Sequence, residues 1–201
     1  MTAAYQRIAT DEELVREALA HPDRYATLVE RYEKKLARYI RRVVPLSEDD
    51  IKDVLQDVFI KAYQNLNDFD GSLLFSSWIY RIAHNEAITL IRKRKHLVRF
   101  APSSEIDDDE LDAGVVEAIA ADDDVEEEVG RRLQSEQAQH LLNELDPLYR
   151  TVLVLRFVEQ KDYHEISDIM RKPMGTVATL LYRAKKQFRQ KAGSYQWNLS
   201  A

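Results

Sequence analysis

Between Phe75 and Lys95 the chain reads FSSWIYRIAHNEAITLIRKRK. Projected on a helix at about 100° per residue, Trp78, Arg81, Asn85, Thr89 and Arg92 fall in one narrow stripe. Phe75, Ile79, Ile82, Ala83, Ala87 and Leu90 gather on a broad apolar face beside it. An indole offers a flat face to an unstacked base, an amide reads a base edge, and a guanidinium binds phosphate or stacks. These are the parts for holding single-stranded DNA. The bland alternative is a core helix with a half-buried tryptophan and a solvated cationic end, Arg92-Lys93-Arg94-Lys95.

Two further faces carry chemistry. Near the C-terminus, Val177, Leu180, Leu181, Ala184 and Phe188 form a complete apolar stripe, which leaves Thr179, Tyr182, Arg183, Lys186 and Arg189 outward. A preceding short helix and the turn Arg171-Lys172-Pro173-Met174-Gly175 make this a helix-turn-helix candidate. Such a motif places the N-terminal part of its second helix in the major groove. Thr176, Thr179, Tyr182 and Arg183 are then candidates for reading DNA, with Lys186 and Arg189 nearer phosphates. The other face lies on an earlier helix, where Asp50, Asp53 and Asp57 line up with Gln56 beside them. Acids in a first turn favour the helix dipole, which explains Asp49 and Asp50 but not Asp57. A one-sided acidic stripe suits a basic partner, although a solvated face would look the same.

Catalytic constellations are poor. The five histidines are scattered, no His-x-x-x-His pair exists, and there is no cysteine to act as nucleophile or thiolate ligand. No phosphate-cradling glycine loop is present either. The chain is expected to be a binding protein, with no enzyme activity, no metal and no cofactor.

Positioning these faces requires helices. Thr10-Asp-Glu-Glu13 has capping-box spacing ahead of Leu14, Val15, Ala18 and Leu19. A second helix is predicted from about Asp23 to Val44, with Tyr25, Leu28, Val29, Tyr32, Leu36, Ile40 and Val43 apolar, and Pro45 stopping it. Ser47 caps a third, whose buried stripe is Ile51, Val54, Leu55, Val58, Phe59, Ala62 and Tyr63. Asp68 to Ser72 is a loop before the fourth. Further on, Asp146-Pro147 starts a helix carrying Leu148, Val152, Leu155 and Phe157. Asp162 caps the next, with Glu165 at capping-box distance, and the last is expected from Thr176 to about Lys191. No stretch alternates as a strand does, so the fold class is all-α.

The net charge of −6 hides a segregation. Residues 101–130 hold thirteen acids and no lysine or arginine, so removing that strip leaves +7 on the remainder. With no sustained apolar face the strip cannot offset ordering entropy, and it is expected to be a flexible linker. Two small helical domains joined by an acidic linker follow. There is no long apolar run and no signal-peptide pattern, and a cytoplasmic location is expected.

The combination resembles the extracytoplasmic-function (group 4) sigma factors of bacterial RNA polymerase. DDIKDVLQDVFIKAYQNLNDFD (49–70) is similar to the family's region 2.2, and FSSWIYRIAHNEAITLIRKRK (75–95) to its regions 2.3 and 2.4. LDPLYRTVLVLRFVEQKDYHEISDIMRKPMGTVATLLYRAKKQFR (145–189) is similar to region 4. The resemblance implies that 1–100 is a region 2-like domain, 101–130 a linker, 131–192 a region 4-like domain and 193–201 a tail. It implies core RNA polymerase as a partner: Asp50, Asp53, Gln56 and Asp57 would dock on the β′ coiled coil, and region 4 would sit against the β flap. Trp78, Arg81, Asn85, Thr89, Arg92, Lys93 and Lys95, with the loop 70–74, would handle the melted −10 element. Thr176, Thr179, Tyr182, Arg183 and Lys186 would read the −35 element. The linker would thread toward the active-site channel, where its charge imitates nucleic acid, and an anti-sigma factor is a further expected partner.

One departure stands out, since the family carries lysine or arginine where this chain has Ala178 and Leu180. That implies weaker phosphate anchoring and an altered −35 readout. It also admits a sigma-like decoy that binds only an anti-sigma factor, and a stand-alone helix-turn-helix regulator remains a third reading.

Overall fold

A computed structural model describes residues 9–97, 129, 133 and 138–194, with side chains described except at 94–97 and 194. The expected linker, apart from Val129, and the tail beyond Ser194 lie outside the described residues. Among the described residues every regular element is helical. The N-terminal half contains α1 (Asp11–Ala20), α2 (Tyr25–Val43), α3 (Glu48–Gln64) and α4 (Phe75–Leu97), with short 3₁₀ turns at Pro22–Arg24 and Leu66–Asp68. The C-terminal half contains α5 (Ala138–Asn143), α6 (Pro147–Leu153), a π-helical turn Val154–Val158, α7 (Tyr163–Met170) and α8 (Met174–Ser194).

The helix starts follow from local chemistry. Thr10, Ser47 and Asp162 each accept from the backbone N–H three residues on, and Glu13, Asp50 and Glu165 return the bond. Such caps contribute about 1 kcal/mol apiece by satisfying donors that the helix leaves unpaired. Asp146 caps α6 through the N–H of Leu148, with Pro147 at the first position. Because its fixed φ suits a first turn and its missing N–H would be orphaned there anyway, the proline starts the helix.

The apolar stripes bury as their spacing requires. Leu28, Tyr32, Leu36, Ile40 and Val43 of α2 meet Ile51, Val54, Val58 and Ala62 of α3 and Phe75, Ile79, Ala83 and Ala87 of α4. Val177, Leu180, Leu181, Ala184 and Phe188 of α8 close the other half over α6 and α7. Tyr63 departs from its expected place in the stripe. It is 47% exposed and packs edge-on against Tyr25 at 5.1 Å, because it lies with exposed Ile60 at the edge of the stripe whose centre is held by Val58 and Ala62.

The two halves share one interface. The buried guanidinium of Arg150 donates to Val43 O at the end of α2 (3.1 Å), to Asn143 O at the end of α5 (2.9 Å) and to Leu145 O just after it (3.3 Å). Gln139 reaches Arg42 O at 3.4 Å, and Arg42 donates to Leu133 O at 2.8 Å. The last carbonyls of α2, which have no partner inside their own helix, are thus satisfied from the C-terminal half.

His84 gives the fold a pH signature. Burial, helped by the nearby positive charge of Arg92, pushes its imidazole down to about 4, and its Nδ1 lies 3.1 Å from the Tyr39 hydroxyl. The unfolded chain therefore takes up a proton, near pH 6.5, that the folded chain refuses until about pH 4. Stability is expected to fall as pH drops through that window. Urea melts of the parent and of His84→Gln between pH 7 and pH 4 check this, the variant showing the shallower slope.

Candidate nucleic-acid interface

The fourth helix divides its stripe in two. Asn85, Thr89, Arg92 and Lys93 are exposed, on a face that α3 and α7 leave uncovered. Trp78 is different: it is only 9% exposed, its ring packed against Phe69 at 5.3 Å and Phe75 at 5.6 Å. The apolar cluster that anchors the 70–74 loop draws the indole inward, so its face is not free in this conformation. Arg81 is half-buried beside α7, where desolvation and the charge of Arg171 lower its proton affinity while Asp168 opposes them. Lys95 falls where side chains lie outside the described residues. The loop itself is exposed at Asp70, Gly71 and Ser72, and the Asp70 carboxylate accepts from the Ser72 N–H at 2.9 Å. Leu74, half exposed, stands at its end.

On α3, Asp53, Gln56 and Asp57 are exposed side by side, continued along the helix by Ile60 at 46% exposure. Asp50 is partly committed elsewhere. Its carboxylate takes the Ser47 hydroxyl at 2.6 Å and the Ser47 N–H at 3.2 Å, so its first role is the cap. An acidic row beside one exposed isoleucine can attract a cationic partner and then bury apolar area against it.

Along α8, Arg183, Lys186 and Arg189 form an exposed cationic row, with Thr176, Thr179 and Tyr182 half-exposed toward its N-terminal end. The Thr179 hydroxyl donates to Gly175 O at 3.0 Å, which satisfies it within the helix. The turn into α8 needs a left-handed residue at Arg171 (φ 52°), where no glycine is available. Leu180 corrects the expectation drawn from the family pattern. It is 2% exposed and belongs to the core, so an apolar side chain there serves packing, and of the two departures only Ala178 lies outside the core.

Sequence reasoning missed the groups that join the two halves. Glu159, whose side chain is 2% exposed, receives Arg38 through two bonds of 3.1 Å and the Tyr80 hydroxyl through a short one. Lys161 bridges Glu165 (2.6 Å) and the Ser76 hydroxyl (2.8 Å), with its ammonium over the Tyr80 ring. Glu165 thus does more than cap α7. The one local hint was the polar run Glu159-Gln160-Lys161 interrupting an apolar helix pattern.

Comparison with known proteins agrees with this layout. Residues 28–97 match the Sigma-70 region 2 model and residues 135–188 the Sigma-70 region 4 model. The extracytoplasmic-function RNA polymerase sigma factor SigW of Bacillus subtilis is 32% identical over 177 residues, covering 84% of this chain and 88% of that one. The chain belongs to the extracytoplasmic-function sigma factors. The sigma-E factor of Escherichia coli K12 is 34% identical over 165 residues, covering 79% of this sigma factor and 81% of that relative. Two solved structures share the fold. CnrH in complex with the cytosolic domain of CnrY matches with a TM-score of 0.66 at 23% identity, over 92% of this chain and 99% of that one. The sigma factor RpoE of Bartonella quintana, in complex with the anti-sigma factor NepR, matches with a TM-score of 0.62 at 18% identity, over 85% and 97%. As an alternative sigma factor, the protein binds core RNA polymerase, directs it to specific promoters and initiates DNA melting. Matches to both halves do not favour a decoy.

Proposed function

We propose a division of labour along the chain. Residues 1–100 dock on core polymerase and melt the −10 element, 101–130 link the halves, and 131–192 read the −35 element. Asp53, Gln56 and Asp57 meet the β′ coiled coil, with Asp50 serving them from its capping box. Asn85, Thr89, Arg92 and Lys93 hold the melted strand, with Arg81 joining once α7 has moved away and Trp78 once it has turned out from Phe69 and Phe75. Lys95, one turn on from Arg92, extends the cationic end. Thr176, Thr179, Tyr182 and Arg183 face base edges, with Lys186 on phosphate, and the same domain sits against the β flap.

The observation that carries this reading is the pairing of an exposed acidic row on α3 with an exposed amide-and-cation row on α4 in one small domain. A stand-alone helix-turn-helix regulator needs neither. The protein works without chemistry of its own: its contribution is binding energy spent on position and on unstacking. The acidic strip acts inside the active-site channel, where confined negative charge imitates nucleic acid. The place of action is the cytoplasm, where polymerase is, and an anti-sigma factor is the natural regulator, as NepR is the partner of its structural relative RpoE.

In vitro transcription with core polymerase on a genomic fragment library tests the reading. Transcripts starting from a common pair of −35 and −10 sequences are the expected result, and no start sites above those of core alone would overturn it.

A further inference from the structure

We propose that Lys61 of α3 serves strand melting by neutralising Glu86, the one carboxylate on the helix that holds the melted strand. The inference rests on the division of labour just described. Between Phe75 and Leu97 the chain carries Arg81, Arg92, Lys93, Arg94 and Lys95 against a single acid, Glu86. That acid follows Asn85 directly and precedes Thr89 by three positions, so it borders the amide-and-cation row. A free carboxylate there would repel the phosphates of the same strand that Asn85 has to hold.

The Lys61 ammonium meets the Glu86 carboxylate at 2.6 Å, across the packed pair of α3 and α4. The glutamate side chain is 15% exposed and the lysine side chain 50%, so the lysine is the solvent-facing member of the pair. A half-exposed ion pair adds little to stability, since water screens it and ordering a long side chain costs entropy. Its weight falls on the neighbouring face, because an unpaired, poorly hydrated carboxylate acts over several ångströms on any anion brought beside it. The lysine is anchored where it starts. Lys61 O accepts both the Asn65 N–H at 3.1 Å and the Asn65 side-chain amide at 2.7 Å, which closes the last turn of α3. Exposed Asp57 and Ile60 lie within one turn of it on the helix assigned to the polymerase. Polymerase seated on α3 therefore holds in register the lysine that keeps α4 attractive to DNA. Lys61 is a positioning residue, acting on the strand through Glu86.

The test uses the full chain assembled with saturating core polymerase. Its probe is a fluorescent single strand carrying the −10 sequence recovered by library transcription, with binding followed by anisotropy at several salt concentrations. Lys61→Met, which keeps the apolar stem, is expected to weaken strand binding about fivefold at low salt. Loss of one neutralising charge is expected to make the slope of log affinity against log salt shallower by about 0.7. Glu86→Gln frees the ammonium and is expected to tighten binding by a similar factor. Lys61→Met combined with Glu86→Gln is expected to return affinity and slope to those of the parent. A purely structural ion pair would be damaged alike from either side. Parental or weaker strand binding by Glu86→Gln would therefore overturn the proposal, and this arm decides even where Lys61→Met does not fold. Parental binding by a folded Lys61→Met, with Asn85→Ala weakened, would overturn the masking role alone. Parental binding by Asn85→Ala as well would overturn the strand-holding reading of α4, and the masking role with it.

Discussion

Asp57→Lys is expected to weaken capture of core RNA polymerase about 100-fold at low salt, with the thermal melting curve of the parent retained. Asp57 is exposed more than two turns into α3, where capping and the helix dipole make no use of its charge. Its neighbours Asp53 and Gln56 are also exposed, so a lysine meets no steric obstacle within the chain. Reversing one charge on an electrostatically matched surface replaces an attraction by a repulsion, worth roughly 2–3 kcal/mol when salt is low. Screening shrinks the difference, since exposed charges a Debye length apart scarcely interact. Pull-down of core polymerase at two ionic strengths is the measurement. Equal capture of parent and variant at both would show that α3 does not face the polymerase.

The second large effect belongs to Asn85. Asn85→Ala is expected to lower open-complex yield about tenfold or more on duplex promoter, with polymerase affinity and stability unchanged. Asn85 is exposed on α4, off the face that carries Ala83 and Ala87 into the core, so truncation leaves no cavity. Extruding a base requires a few kcal/mol of unstacking and unpairing, which pocket contacts must offset. An amide that reads a base edge supplies roughly 1–3 kcal/mol of that and sets a preference at one −10 position. A template pre-melted by a mismatched bubble removes the penalty, so the variant is expected to recover much of its yield there. Permanganate footprinting on the two templates measures this; parental yield and parental base preference on duplex DNA would remove Asn85 from the melted-strand face.

What could be read from the chain alone was local. The capping boxes at Thr10, Ser47 and Asp162, the Asp146-Pro147 start and the stripes of α2, α4 and α8 are all set by residues within a few positions of each other, and all stand in the structure. The exposed rows on α3 and α8 were legible for the same reason: they are what remains when the apolar stripe is taken away. Failures came where a distant element decides. Trp78 turned inward because Phe69, beyond the helix, completes an aromatic cluster. Tyr63 stayed half exposed because it falls with Ile60 at the edge of the α3 stripe, where Ala62 and not Tyr63 faces the core. Leu180 was assigned both to the stripe and to the groove, and packing over α6 and α7 resolved it for the stripe. No periodicity could have found Glu159 or Arg150, since their partners lie 121 and 107 residues away in Arg38 and Val43.

Arg150 has a consequence for how the protein comes apart. A guanidinium that satisfies the end of α2 from within the C-terminal half makes two sequence domains share one cooperative unit. Slow amide exchange then follows the shared interface, with the last turn of α2 protected to the same degree as α6, whereas independent domains would show two separate plateaus. Anything that pries the halves apart, whether polymerase or a competing partner, would also convert one melting transition into two.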